Sequence, residues 1–226
     1  MDYRYEALSL EGFIQQIAVS YIPHGYWFYV VGRIPSHKNV QAVDEKLIRK
    51  YGIAVNPWTR SRRKRQGLAS VHYVRHLNFF VLLANEGSHC LRVEEARRLR
   101  DLREAPLRYG GYAMSYVAGH ACVRIERATY LDIKEAFLRR AVHQSARQLE
   151  WALRSLPFEP YAPIRLQLLF LLRQVNKKRQ AAGLETVSKS ALRFYRNIYA
   201  PFTSAEPSPR SHLLRRNPPG RRKEVP

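Results

Sequence analysis

The sequence predicts an α+β protein: a mixed or antiparallel sheet built mainly from residues 26–126, then a helical C-terminal half and a disordered basic tail. Three observations carry this expectation. Short runs of aromatic and β-branched residues are confined to the first part of the chain. Apolar residues at helical spacing dominate after residue 129, and from Thr203 the composition turns to proline and arginine. The expected boundaries are 1–128 for the sheet domain, 129–202 for a helical region packed on it as one folding unit, and 203–226 for the tail.

The elements follow in order. Ser9 is placed to cap a helix, and Leu10, Phe13, Ile14, Ile17, Ala18 and Tyr21 recur at helical spacing until Pro23 and Gly25. "GYWFYVVGRIP" is apolar on both faces and reads as a central strand closed by Pro35. Val40, Val43, Leu47, Ile48 and Tyr51 mark a second helix, with Gly52 as its stop. The run "TRSRRKR" shows no apolar period and reads as a connection. "SVHYVRHLNFFVLLANEG" reads as one long strand or as two strands bent near His76–Asn78, and "RVEEARRLRDLRE" as a short charged helix. "PLRYGGYAMSYVAGHACVRIE" reads as a hairpin turning at Ala118–Gly119. Thr129 with Asp132 resembles a capping box, opening a long helix through Tyr130, Ile133, Phe137, Ala141, Leu149 and Leu153 to Pro157. "APIRLQLLFLLRQVNKKRQAAG" is a helix stopped by Gly183, and "SKSALRFYRNIY" a shorter one capped by Ser188.

Charge is the outlier of the composition. The chain has 39 Lys+Arg against 18 Asp+Glu, a formal net charge of +21, and thirty of those cations are arginine. A compact body with that excess repels itself until an anionic partner relieves it, and arginine grips phosphate bidentately. The expected partner is nucleic acid, DNA or RNA, with a ribonucleoprotein or another protein as a further partner. An anionic membrane is disfavoured, because no polybasic amphipathic helix and no apolar run of spanning length is seen. "MDYRYEALSLEGF" does not read as a secretory signal. Cys90 and Cys122 read as buried, reduced residues, which suggests a cytoplasmic protein, nucleoid-associated if bacterial.

The candidate binding residues fall in two groups. Arg60, Arg62, Arg63, Lys64 and Arg65 sit within six residues, flanked by Trp58 and Tyr73 for stacking on bases, with Arg75 beyond. Lys177, Lys178, Arg179, Lys189, Arg193 and Arg196 surround a helix–helix junction that is weakly like a helix-turn-helix. A catalytic alternative, nuclease or strand transfer, rests on His72, His76 and Tyr130, with Glu86 or His89 completing a metal set. Against it, the chain has four Asp, no His-x-His, no Walker or Rossmann fingerprint and no Gly-x-Ser-x-Gly elbow. No metal and no cofactor is expected.

The segments "GYWFYVVGRIPSHKN", "NFFVLLANEGSH" and "FEPYAPIRLQLLFLLRQVNKKRQAAG" resemble an uncharacterised family of basic bacterial proteins, over most of residues 1–202. The resemblance implies no reaction. By analogy it implies an accessory protein of a mobile element.

Overall fold

The computed structural model describes residues 3–203 and the pair Ser208–Pro209. Helix α1 (Leu10–Gln15) starts where Ser9 Oγ accepts from Gly12 N at 3.1 Å. It continues as a π segment (Gln16–Tyr21) and a 3₁₀ turn (Ile22–His24), and Gly25 ends it with φ +88°. Strand β1 (Phe28–Arg33) is followed by α2 (Val40–Lys50) and α3 (Pro57–Arg65). Strands β2 (Val71–His76) and β3 (Phe79–Ala84) form a hairpin, so the chain bends at Leu77–Asn78. The charged segment after it divides into α4 (Cys90–Glu94) and a two-residue strand β4 (Arg100–Asp101). The order β2-β3-β1-β4 is antiparallel throughout and puts the apolar β1 inside the sheet, paired on both sides.

A second antiparallel sheet is a meander of β5 (Leu107–Tyr109), β6 (Tyr112–Val117) and β7 (His120–Ile125). Its turns demand positive φ: Gly110 and Gly111 lie at +56° and +78°, Ala118 and Gly119 at +50° and +80°. Helix α5 (Arg127–Arg140) begins two residues before the expected capping box at Thr129 and ends well short of Pro157. The capping box lies instead at α6 (Ala146–Arg154), where Ser145 N donates to Gln148 Oε1 at 2.9 Å and Gln148 N to Ser145 Oγ at 3.2 Å. Helix α7 (Ala162–Ala181) runs as expected, but Ser188 caps only a 3₁₀ turn (Lys189–Ala191), followed by extended chain and β8 (Asn197–Ile198). The helix-turn-helix likeness therefore has no second helix. Ser208–Pro209 pairs with β8 as β9; the rest of the expected tail beyond Thr203 lies outside the described residues.

The alternation of the first sheet separates two cores. Tyr29, Val74, Phe79, Val81 and Leu83 point toward α1, the second sheet and the C-terminal helices. Val30, Val71, Tyr73, Leu82 and Ala84 point the other way, with Tyr51, Ile53 and Leu91. The larger core is continuous from Phe13 and Ile17 through Tyr112 and Val123 to Leu149, Leu168 and Val175. Phe79 stacks on Tyr109 with ring centroids 4.1 Å apart, joining the two sheets. Among the described residues, no helix is long and apolar enough to cross a membrane.

Candidate nucleic-acid interface

The basic run is helical, not a loop. Asn56 Oδ1 accepts from Thr59 N at 2.8 Å and Pro57 occupies the first turn, a pairing suited to a helix start. Arg62, Arg63, Lys64 and Arg65 fill the last turn, where the negative end of the helix dipole favours them. The helix lacks an apolar stripe because none of its residues is buried, which hid it from periodicity. Arg62, Lys64 and Arg65 are exposed and Arg63 is half-buried, its Nη1 donating to Gly52 O at 3.2 Å. Trp58 is 64% exposed, with the Arg62 guanidinium 5.6 Å from its ring centroid. Among the described residues, no cation of α3 enters an ion pair.

Other candidates are structural. Tyr73 is fully buried and its hydroxyl donates to Asp44 Oδ1 at 2.5 Å, so it offers no face to a base. Arg75 is buried too: its Nε donates to both Asp44 oxygens at 3.1 and 3.0 Å, Nη1 to Leu77 O at 2.7 Å, and Nη2 reaches Glu6 Oε2 at 3.0 Å. Burial pushes the Asp44 carboxyl up, while the Tyr73 hydroxyl and Arg75 pull it back. Arg179, 3% exposed, donates from Nη1 to Ala141 O at 2.6 Å and Gln144 O at 2.7 Å, and from Nε to Glu185 O. It thereby closes the corner between α5 and α6. Arg193 Nη2 donates to Phe158 O at 2.7 Å and Arg196 Nη1 to Gln15 Oε1 at 2.7 Å, both holding the extended segment after α7. Lys177 and Lys189 are exposed; Lys178 is exposed with Nζ on Leu138 O at 2.9 Å.

The catalytic candidates are not brought together. His72 is nearly buried, stacked on Tyr21 with centroids 4.5 Å apart and edge-on to Tyr26. Burial, reinforced by the Arg60 charge, lowers its pKa to about 3, which keeps it neutral. His76 shares a 2.9 Å hydrogen bond with the Tyr109 hydroxyl, and burial lowers its pKa as well. The Tyr130 hydroxyl donates to Gln167 O at 3.2 Å, and burial raises its pKa. Glu86 pairs with Arg103, and His89 caps α4 by accepting from Leu91 N at 3.1 Å. Among the described residues, no three of His, Cys, Asp and Glu converge as a metal site. Cys122 is buried, whereas Cys90 is exposed.

Sequence reasoning missed Tyr3. On the β2 edge away from β3, beyond the bridge at Glu6 and Arg75, Tyr73 has no strand partner among the described residues. The Tyr3 hydroxyl serves instead, donating to Tyr73 O at 2.9 Å and accepting from Tyr73 N at 2.8 Å. Nothing local could have signalled it, since the partners lie 70 residues apart. No protein-family model matches the chain, and no curated protein matches it.

Proposed function

We propose that the protein binds the backbone of DNA or RNA, with α3 as its principal contact. The observation that carries this reading is the outward face of α3: exposed Arg62, Lys64 and Arg65 beside an exposed Trp58, with no ion pair to an acid among the described residues. Three unneutralised cations within four residues repel one another, and phosphates placed between them remove that cost while releasing counterions. Trp58 adds a stacking surface for an unpaired base. Lys177 and Lys189 extend the positive surface, whereas Tyr73, Arg75 and Arg179 leave it because they are buried. The protein then serves as an accessory or scaffold component of a nucleoprotein complex in the cytoplasm, of the kind that travels with a mobile element, and a ribonucleoprotein is one such complex.

The test is a salt titration of binding to a long duplex and to a single strand. Affinity falls linearly on a log–log plot against salt, and replacing Arg62, Lys64 and Arg65 by Ala lowers the slope by about 3 without abolishing binding. Absence of binding at low salt, or affinity indifferent to salt, sinks the reading.

A further inference from the structure

A cavity of about 860 Å³ opens between the N-terminal segment, the π segment and the first turn of α3. Arg4 and Arg60 line it, with Asn56 and the tyrosines Tyr3 and Tyr21, and among the described residues no Asp or Glu does. Tyr21 and His72, both nearly buried, close its floor. The π winding contributes directly. Residues five apart diverge by about 140° around an α-helix, whereas the wider π turn brings Gln16 and Tyr21 to the same wall. Such segments concentrate at functional sites.

Arg60 is the unusual residue. It belongs to the basic helix but does not share its outward face. Its Nε is buried and, among the described residues, has no hydrogen-bond partner. A buried charged donor with an unmade bond is costly and is relieved by an acceptor. Its positive charge bears on Tyr3, Tyr21, Tyr26 and His72. The surroundings therefore suit an anion with several acceptor oxygens, and arginine meets phosphate bidentately. The volume falls in the range that holds a small-molecule ligand, so there is room for a sugar and base behind the phosphate. A floor made of buried side chains admits a chain end rather than a continuous backbone. A phosphomonoester also carries close to two negative charges at neutral pH, which matches two arginines better than a single diester charge does.

We propose that this cavity receives the terminal phosphomonoester of a nucleotide, either the phosphorylated end of a strand or a free nucleoside monophosphate, with Arg60 gripping the phosphate and Arg4 at the mouth. For its strand source the proposal rests on the nucleic-acid reading above; the anion chemistry of the cavity does not.

The experiment compares one short fluorescent single strand carrying a 5′-hydroxyl, a 5′-phosphate or a 3′-phosphate, titrated by polarisation at moderate salt. A nucleoside monophosphate and inorganic phosphate serve as competitors and, separately, as ligands in a thermal-shift assay. Expected is about tenfold tighter binding of one phosphorylated end, erased by Arg60→Gln and partly kept by Arg60→Lys. A thermal shift from the monophosphate that Arg60→Gln removes, together with no preference between strand ends, assigns the site to the free nucleotide. Equal affinity for all three strands, with no thermal shift from either phosphate compound, overturns the cavity proposal and leaves the α3 reading intact. No strand binding, with a monophosphate shift that Arg60→Gln removes, keeps the cavity and overturns the strand reading. The wild-type comparison stands even where an Arg60 variant does not fold.

Discussion

At Arg75 a cation that continues the basic run in sequence becomes a core residue in the fold. Asp44 meets it from α2, 31 residues away, so no local pattern could announce the pair. The same holds for Tyr73, whose alternation in β2 turns it toward Asp44. Removing Asp44 takes away the one buried carboxylate on this buried guanidinium and leaves it only the exposed Glu6 and the Leu77 carbonyl. Asp44→Ala is expected to cost about 3–5 kcal/mol in urea unfolding, more than replacing both partners by apolar residues. His72 gives a pH signature. Its folded pKa of about 3 lies below the unfolded value of 6.5, so stability is complete above pH 6.5 and declines as pH falls toward 3. Between pH 7.5 and pH 5 this residue removes about 2 kcal/mol. His72→Asn loses packing at every pH, yet its unfolding free energy plotted against pH is flatter by that amount.

At the scale of elements, legibility followed locality. The Ser9 cap, the turn at Ala118–Gly119 and the Gly183 stop were readable because each signal lies within a few residues of its effect. Helix α3 carried a readable start in Asn56 and Pro57, but its surface position left no apolar stripe. Asn56→Ala is expected to cost about 1 kcal/mol, visible as lost helical ellipticity and as weaker strand binding. The continuous helix expected across Tyr130–Leu153 failed for a different reason. Arg179 supplies donors to the carbonyls of Ala141 and Gln144, making a corner stable where periodicity alone permits a straight helix. Arg179→Met leaves those acceptors unsatisfied. It is expected to lower the melting temperature of the chain while the Arg62, Lys64 and Arg65 variant does not, a contrast that separates structural from surface cations.

For the molecule as a whole, the α+β order was legible because all but the short strands β8 and β9 lie before Arg127 and the longest helices after it, whereas the division into two sheets was not. In the first sheet β1 pairs with β3 and β4, about 50 and 70 residues on, which no local pattern announces, and the two sheets meet through the stacking of Trp27 on Tyr116 and Phe79 on Tyr109. The continuous core from Phe13 to Val175 predicts one cooperative transition. Fluorescence from Trp27, shielded between Tyr116 and the Arg103 guanidinium, and far-ultraviolet ellipticity are expected to give coincident urea curves, and separated midpoints would show the helical half unfolding independently. The Tyr3 ring joins this scaffold to the cavity, since one face of its role is to finish the β2 edge and the other is to wall the pocket. Occupancy of the pocket and closure of that edge are therefore thermodynamically linked: a ligand that holds Tyr3 in place slows hydrogen exchange at the Tyr73 amide. That single amide becomes a label-free gauge of whether the pocket is filled.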